Sequence, residues 1–397
     1  MKKWLSMILA VLLVCGSAFS GAMAEEQGFY EYTVKADGTV EITGVSTDCT
    51  DEVIPKELGG KTVTSIGGGA YSNCRKLKNI VIPDTVTTIG YYVFSSCNLN
   101  SITIPDSVSS IDEAFCPWGK VKTINISREH PYLAYNNGAL ISKKDMKLIR
   151  FFGTSGNEYD VNWGIKTIAD YAFCGAKLQT VNLPDSVTSI GHQAFAECTT
   201  LKNIYIPSGI TYIGTQAFFC CKGLKSVKLA DKVTEMGDNV FAYCDNLKEV
   251  VISENNPAFE IRNNAVIDKR ANKLLFTYGI KNGVYTIPEG VKSLKDLAFA
   301  GMNLTSVILP EGLTAISEGE FYSCSKLKEI TIPEGVTSIA GRAFKNCGQL
   351  AKVVIPASVN KINDSAFEGC KKLTCTVEEG SYAQKYCEEK GIKYVIK

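Results

Sequence analysis

The sequence has almost no excess of one charge and almost no histidine. Its 397 residues include 42 lysines and arginines against 41 aspartates and glutamates, a formal net charge of +1, and the histidines are His130 and His192 alone. A balanced charge does not favour binding to nucleic acid or to an anionic membrane. The scarcity of histidine and the lack of any C-x-x-C pair argue against a structural zinc site. We therefore predict no metal, no cofactor and no nucleic-acid partner.

Long apolar runs are also missing, except near the N-terminus. There, two lysines precede an apolar run over residues 4–14, and small residues follow it up to Ala24. This order is typical of a secretory signal peptide, which we expect over residues 1–24, with cleavage between Ala24 and Glu25. No other apolar run approaches the about 20 residues that are needed to span a bilayer. We expect the mature chain to be secreted or to lie at the cell surface, with any means of attachment left open.

What the sequence does contain is an aromatic residue that returns at a fixed interval. The interval is 23 residues from Phe195 to Phe218 and again from Phe218 to Phe241. Self-similarity at a period of about 20 to 50 residues indicates a solenoid, in which each unit buries its apolar edge against its neighbours. Eleven units can be recognised by their aromatic residue: Tyr71, Phe94, Phe115, Phe173, Phe195, Phe218, Phe241, Phe299, Phe321, Phe344 and Phe367.

Each unit predicts two short strands and a tight turn. In the pattern L-x-x-I-x-I-P, aliphatic residues alternate with variable ones, as Ile204 and Ile206 do around Tyr205, which indicates a half-buried strand. The proline, and the acidic, serine or glycine residues after it, predict a turn into a second short strand. The segment I-G-x-x-A-F-x-x-C then suits a tight helical or 3₁₀ turn whose aromatic side chain packs inward.

Two of the intervals are longer, and they match each other. The intervals that end at Phe173 and at Phe299 both span 58 residues, which is 35 more than one unit. Residues 126–173 align without a gap on residues 252–299, and both segments read as strand, polar turn and strand before the ordinary unit resumes. We interpret them as enlarged repeats within one elongated domain, not as linkers between domains.

The repeat carries a family resemblance. The string L-x-x-I-x-I-P-x-x-V-T-x-I-G-x-x-A-F-x-x-C, the N-P-x-F motif at residues 256–259 and the C-terminal segment from Gly380 to Tyr394 resemble the BspA-like leucine-rich repeat proteins. The resemblance covers nearly all of residues 29–397. It implies a mainly β, curved solenoid, a leucine-rich-repeat superhelix, in secreted or surface proteins, several of which are thought to act as adhesins for host proteins or other cells.

Both ends of the predicted solenoid carry a cap. An alternating pattern about Asp37-Gly38 predicts an N-terminal hairpin. Ser381 and Gly391 predict the start and the end of a C-terminal helix. Such caps keep the terminal strands from pairing with another chain. The predicted organisation is a signal peptide over 1–24, an N-terminal cap over 25–60, about eleven 23-residue units over 61–374 and a C-terminal cap over 375–397.

The chain contains 15 cysteines, which in an exported protein would usually indicate disulfides. Most of them recur at one place in the unit, three residues after the aromatic position, where a small buried side chain can pack and cap a turn. We therefore expect a ladder of stacked, reduced thiols, although neighbouring coils could bring two sulfurs within bonding range. The ladder comprises Cys74, Cys97, Cys198, Cys221, Cys244, Cys324, Cys347 and Cys370, whereas Cys49, Cys220, Cys375 and Cys387 lie outside it.

The sequence predicts no catalytic residues. The glycines at 67–69 fall in a repeat turn and lack the Lys-Ser or Lys-Thr of a phosphate loop. Ser323-x-x-Lys326 also falls on a repeat turn and lacks the companion motifs of a serine hydrolase. The acidic residues that follow the prolines have no calcium-binding loop around them, so we interpret them as solvated turn residues. An enzyme site within the enlarged repeats is kept as an alternative.

A binding function would have to be carried by the outward-facing strand positions. The residue between the two inward aliphatic residues varies from unit to unit, and a lysine often lies three residues before it. The leucine-rich resemblance implies that these strands line a concave sheet. Their stripe of side chains would suit a protein or a glycan better than a small molecule, which needs a deep pocket. The candidate contact residues are Asn182, Lys202, Tyr205, Lys225, Lys228 and Lys248.

We therefore predict an exported, non-enzymatic protein that binds a protein or a glycan outside the cell, on a host or a neighbouring cell. In the alternative interpretation the lysines only keep an open sheet soluble, and the chain is a passive structural or spacer protein of the cell surface. The sequence leaves the oligomeric state open.

Overall fold

The structure, a computed structural model, describes residues 24–27, 29–116, 121, 123–153, 157–280 and 282–397. Within these ranges the chain is a β-solenoid with a single α-helix close to its C-terminus, so the predicted fold class is confirmed. The predicted signal peptide lies outside the described residues except for Ala24.

The N-terminal part of the solenoid starts from an antiparallel hairpin. Strands β2 and β3 pair around Asp37-Gly38, and β3 then pairs in parallel with β6, the first strand of the ordinary coils. The predicted hairpin cap is therefore confirmed. The strands of this part are β1 (Ala24–Gln27), β2 (Tyr30–Val34), β3 (Val40–Val45), β4 (Glu52–Val53), β5 (Glu57–Leu58), β6 (Lys61–Ile66), β7 (Asn79–Val81), β8 (Thr88–Ile89), β9 (Ser101–Ile104), β10 (Ser110–Ile111) and β11 (Thr123–Ile126).

The middle part opens with the first enlarged repeat and continues as ordinary coils. Its longer and shorter strands form two separate sheets, in the orders β15-β17-β19-β21-β23 and β12-β13-β14-β16-β18-β20-β22. The strands are β12 (Leu133–Asn136), β13 (Ala139–Ser142), β14 (Lys147–Phe151), β15 (Glu158–Asp160), β16 (Thr167–Ile168), β17 (Thr180–Asn182), β18 (Ser189–Ile190), β19 (Asn203–Ile206), β20 (Tyr212–Ile213), β21 (Ser226–Leu229), β22 (Glu235–Met236) and β23 (Glu249–Ile252).

The C-terminal part repeats this plan and ends in the predicted helix cap. Ser381 accepts a hydrogen bond from the backbone N–H of Gln384, and Gly391 closes the helix with a left-handed φ of 63°. The elements are β24 (Phe259–Arg262), β25 (Ala265–Asp268), β26 (Lys273–Thr277), β27 (Gly283–Thr286), β28 (Ser293–Leu294), β29 (Leu304–Ile308), β30 (Ala315–Ile316), β31 (Glu329–Thr331), β32 (Ser338–Ile339), β33 (Lys352–Val354), β34 (Lys361–Ile362), β35 (Thr374–Val377), α1 (Tyr382–Lys390) and β36 (Lys393–Ile396).

Each ordinary coil contributes one longer and one two-residue strand, and both pair in parallel with the next coil except between β28 and β30. The register follows the repeat, so that Ile204 lies opposite Val227 and Tyr205 lies opposite Lys228. The turn after the longer strand is closed by a hydrogen bond from the N–H of Ile210 to the carbonyl of Pro207 at 3.1 Å. The turn that the proline predicts is therefore present, and it leads into the second strand as expected.

The segment around the aromatic residue differs in detail from the prediction. It packs its ring inward as expected, but it is a series of turns with two left-handed residues, such as Gln216 at φ 56° and Cys220 at φ 57°. The N–H groups of Gln216, Phe218 and Cys220 donate to carbonyls of the next coil at 2.7 to 2.9 Å. The alternate N–H groups, those of Ala217, Phe219 and Cys221, donate to the carbonyl three residues back at 3.0 to 3.3 Å. The segment therefore makes single tight turns, which the left-handed residues keep from continuing as a helix.

The core is organised by stacked aromatic rings. All eleven aromatic positions are buried. Phe173, Phe195, Phe218 and Phe241 form one stack with centroids 4.9 to 5.2 Å apart. A second stack, with spacings of 5.2 to 5.4 Å, consists of Phe299, Phe321, Phe344 and Phe367.

The two enlarged repeats divide this core into sections. In each, three antiparallel strands are inserted, β12-β13-β14 in the first and β24-β25-β26 in the second. Alternate residues of β13 and β14 point to opposite sides, so Leu140 packs into the N-terminal section and Ile141 into the middle one. The inserted strands are thus internal partitions of one solenoid, which agrees with the reading of these segments as enlarged repeats.

The recurring cysteines form the expected ladder. From Cys97 onward, each ladder thiol donates to the carbonyl oxygen of the aromatic residue of the preceding unit, at an S···O distance of 3.0 to 3.1 Å. Burial raises the pKa of the Cys97 and Cys324 thiols to about 12. A thiol with a raised pKa and a backbone acceptor has little thiolate with which to react.

We expect a thiol titration to find these cysteines reduced. The 14 cysteines that the structure describes are all unpaired. Protein purified without reductant should therefore release all of these thiols to Ellman's reagent after unfolding, whereas the native protein should react slowly because most sulfurs are buried. A count near zero in the unfolded protein would show that disulfides hold the coils instead.

Candidate binding surface

The candidate residues lie on the outer face of the five-stranded sheet β15-β17-β19-β21-β23. Tyr205 pairs with Lys228, and Lys228 pairs with Val251 on the following strand. The aliphatic residues on either side of Tyr205 and Lys228 are buried, as is Val250 before Val251, while Ile252 is partly buried; this places the three side chains on the solvent side. The sheet thus presents these side chains in one outward row, as the alternation predicts, and Asn203, Ser226 and Glu249 form a second row beside it.

Tyr205 and Lys228 form a contact within this row. The Nζ atom of Lys228 lies 5.6 Å from the centroid of the Tyr205 ring, within the range of a cation–π interaction. The Tyr205 side chain keeps 49% of its surface exposed. A partner could therefore bind an amphipathic ring and a positive charge that already hold each other in place.

Three further lysines form a ridge along the edge of the same sheet. The N–H of Lys225 donates to the carbonyl of Lys202 at 2.7 Å, and that of Lys248 donates to the carbonyl of Lys225 at 2.9 Å. The three residues therefore repeat at the strand spacing of about 4.8 Å. Within the described ranges, neither these lysines nor Lys228 pairs with a carboxylate. We call Tyr205, Lys228 and this ridge the lysine–tyrosine stripe.

Asn182 lies at the other end of the sheet and is engaged differently. Its Nδ2 donates to Oε1 of Glu158 at 2.7 Å and to Oδ1 of Asp160 at 2.6 Å. The repeat pattern does not single out these two carboxylates. Their position on either side of the buried Tyr159 is the signal that could have revealed them. The outer face therefore changes from acidic at β15 to basic at β21.

The repeat and its neighbours identify the family. The family model described as "BspA type Leucine rich repeat region" matches the sequence in six copies, over residues 57–151, 166–282 and 275–374. The chain belongs to this family. A search of curated proteins found no match.

Several solved structures similar to this BspA-type chain are of bacterial leucine-rich repeat proteins. A leucine rich cell surface protein from Faecalibacterium prausnitzii is 26% identical, with a TM-score of 0.52, over 92% of this chain and 97% of that one. A Bacteroides ovatus repeat protein is 23% identical, with a TM-score of 0.38, over 94% and 99%. The pneumococcal vaccine antigen PcpA is 18% identical, with a TM-score of 0.47, over 95% and 99%.

One of the two histidines of this BspA-type chain has a structural role. His130 is fully buried, its Nδ1 accepts from the N–H of Leu133 at 3.1 Å, and its Nε2 lies 3.1 Å from the carbonyl of Pro105. Asn256 holds the equivalent place in the second enlarged repeat and bonds the N–H of Phe259 and the carbonyl of Val233. Because the side-chain amide of Asn256 makes hydrogen bonds of the same kind, the role of His130 is to close the turn.

His192 and the other possible metal ligands form no metal centre in the described part of this BspA-type chain. The His192 ring packs edge-to-face on Tyr171, with the centroids 5.3 Å apart. No group of three histidine, cysteine or acidic side chains in the described ranges could hold a metal ion. Those ranges also contain no helix with the length and hydropathy of a membrane span.

Proposed function

We propose that the chain is an exported, non-catalytic binding protein that contacts a protein or a glycan outside the cell through the lysine–tyrosine stripe. The observation that carries the proposal is the register of β19 and β21, which sets Tyr205 against Lys228 beside a ridge of unpaired lysines. A rigid parallel sheet presents these groups without an ordering cost, which favours binding. The cell-surface description of the similar Faecalibacterium protein supports an extracellular location.

The charge of the stripe suggests what the partner brings to it. Positive charges that repeat at the strand spacing repel one another. An anionic partner surface would lower this repulsion among the four lysines, which have no carboxylate partners. The exposed tyrosine adds a flat, partly apolar contact of the kind that dominates binding energy at interfaces. A partner with acidic groups around an apolar or ring-shaped centre fits both features. A passive spacer protein would have no need of this arrangement.

A binding screen followed by a paired substitution tests the proposal. Residues 25–397 would be screened against extracellular matrix proteins, glycans and the surfaces of neighbouring cells. Replacing both Tyr205 and Lys228 with alanine should raise the Kd by about tenfold or more, since a buried aromatic or charged contact contributes about 1.4 kcal/mol or more. Surface plasmon resonance at two salt concentrations should show weaker binding at the higher one.

The chain offers a matched control for this pair. Thr331 holds the place of Lys228 in a C-terminal coil and lies opposite the neutral Val354. Lys328 holds the place of the ridge residue Lys225. The double variant Lys328→Ala with Thr331→Ala should bind as the unchanged protein does. Equal affinity of the stripe variant and the unchanged protein would remove the stripe as the site. Lack of any partner in the screen would favour the spacer interpretation.

A further inference from the structure

The two enlarged repeats align residue for residue, but they fill the solenoid differently. In the first, the Phe151 ring stacks on Phe173 with the centroids 5.3 Å apart. The guanidinium of the neighbouring Arg150 donates to the carbonyls of Tyr171 and Cys174, the second at 3.1 Å. These two side chains close the space between the enlarged repeat and the aromatic turn that follows it.

In the second enlarged repeat the residues equivalent to Arg150 and Phe151 do not fill this space. Phe276 replaces the arginine and packs back on Phe241, with the centroids 5.0 Å apart. Thr277 replaces the phenylalanine and reaches only the sulfur of Met302, at 3.6 Å from its Oγ1. A cavity of 490 Å³ results, and Leu297 and Ala300, the equivalents of Tyr171 and Cys174, lie in its wall. Its volume falls in the range of small-molecule sites.

The wall of this cavity combines aromatic rings with uncharged polar groups. Phe219 and Tyr243 lie edge-to-face in it, with the centroids 5.3 Å apart. Tyr278 is 9% exposed, and its hydroxyl makes no hydrogen bond to any part of the chain that the structure describes. Four residues with side-chain amides also line the cavity: Gln216, Asn239, Asn282 and Asn303. Amides and hydroxyls both donate and accept hydrogen bonds.

This chemistry selects among ligand classes. A carboxylate or phosphate ligand calls for arginine or several lysines, but the described wall carries one base and one acid, Lys248 and Asp245. A purely apolar ligand would bury the amides and the Tyr278 hydroxyl without partners, at a cost of about 1 to 3 kcal/mol for each. A neutral ring with an apolar face and hydroxyl groups around its edge satisfies both the aromatic and the polar groups.

We propose that the cavity beside the second enlarged repeat binds a neutral sugar, either a free pyranose or one at the end of a glycan. The cavity shares only Lys248 with the lysine–tyrosine stripe. The proposal of sugar binding in this cavity is therefore independent of the function proposed for the stripe, and each can be tested without the other. The first enlarged repeat, in which Phe151 and Arg150 fill the same space, has no equivalent role.

Sugar binding can be measured directly on residues 25–397. Isothermal titration and saturation-transfer NMR with N-acetylglucosamine, glucose, galactose, maltose and lactose should reveal saturable binding of at least one, with a Kd of about 1 mM or lower. A disaccharide that binds better than its monosaccharides would indicate the end of a glycan, and equal affinities a free sugar. Binding of indole or phenol with no binding of any sugar would overturn the proposal.

Two variants locate the binding. Thr277→Phe restores the ring of the first enlarged repeat and should abolish sugar binding while circular dichroism stays unchanged. Should this variant fail to fold, Tyr243→Ala removes a ring that is 39% exposed and should weaken binding by about tenfold or more. The stripe variant with Tyr205→Ala and Lys228→Ala should bind the sugar normally. Unchanged sugar affinity in folded Thr277→Phe or in Tyr243→Ala would overturn the proposal.

Discussion

Replacing Phe218 with alanine is expected to lower the free energy of unfolding by about 3 to 5 kcal/mol. The Phe218 ring is completely buried and stacks between Phe195 and Phe241, at centroid distances of 5.0 and 5.2 Å. Its loss removes the apolar surface of one ring and leaves two others without their partner. Each coil of a solenoid is stabilised only by its neighbours, so the defect weakens two interfaces at once.

Guanidinium unfolding followed by circular dichroism measures this effect. The Tyr205→Ala variant is the matched control, because it removes an aromatic ring from the same coil but from the exposed face of its strand. It should change the free energy of unfolding by no more than about 0.5 kcal/mol. A loss below about 1 kcal/mol in Phe218→Ala would mean that the aromatic stack does not hold the coils together.

The period of the sequence predicts the core because the same packing problem recurs in each coil. Every aromatic position found by the period is buried, and both end caps form where capping and hairpin residues predict them. The left-handed residues at Gln216 and Cys220 could not be predicted in this way. Neither residue type favours that conformation, and the hydrogen bonds that hold it exist only once the next coil is in place.

The candidate site was only partly predictable for a similar reason. Strand alternation is a local property, and it places Tyr205 and Lys228 on one face without further information. The contacts of Asn182 with Glu158 and Asp160 depend on how β15, inside an enlarged repeat, pairs with β17. The open cavity could be predicted from the sequence only in part. The alignment shows threonine where the first copy has Phe151, but only the packed structure shows that nothing else fills the space.

A buried carboxylic acid interrupts the ladder of short strands near the C-terminus. Glu320 takes a place where other units have alanine, as at Ala217 and Ala343, and it is completely buried. Its Oε2 accepts from the N–H of Ser317 at 2.9 Å, and the hydroxyl of Ser317 donates to the carbonyl of Leu294 at 3.0 Å. In the next coil the corresponding N–H, that of Ala340, donates to the preceding strand. Strands β28 and β30 accordingly lie in different sheets.

We expect Glu320 to make the stability of the protein fall as the pH rises from about 4.5 to about 8. Burial is the largest cause that raises the pKa of its carboxyl from 4.5 to about 8, with a smaller contribution from Asp296. The folded state therefore keeps the proton through this window, whereas the unfolded state loses it near pH 4.5. Since the folded state binds more protons, stability falls with pH, by about 4 kcal/mol at most across the window.

The variant Glu320→Gln isolates this contribution, because it keeps the shape and the hydrogen-bonding capacity of the side chain but cannot titrate. Unfolding free energies of both proteins would be measured by guanidinium unfolding from pH 4 to pH 8.5. The difference should grow in favour of glutamine by about 3 to 4 kcal/mol and level off above the folded pKa. Other titrating groups cancel, because they are common to both proteins. Parallel curves would mean that Glu320 is ionised in the folded state and that the interruption between β28 and β30 opens it to water.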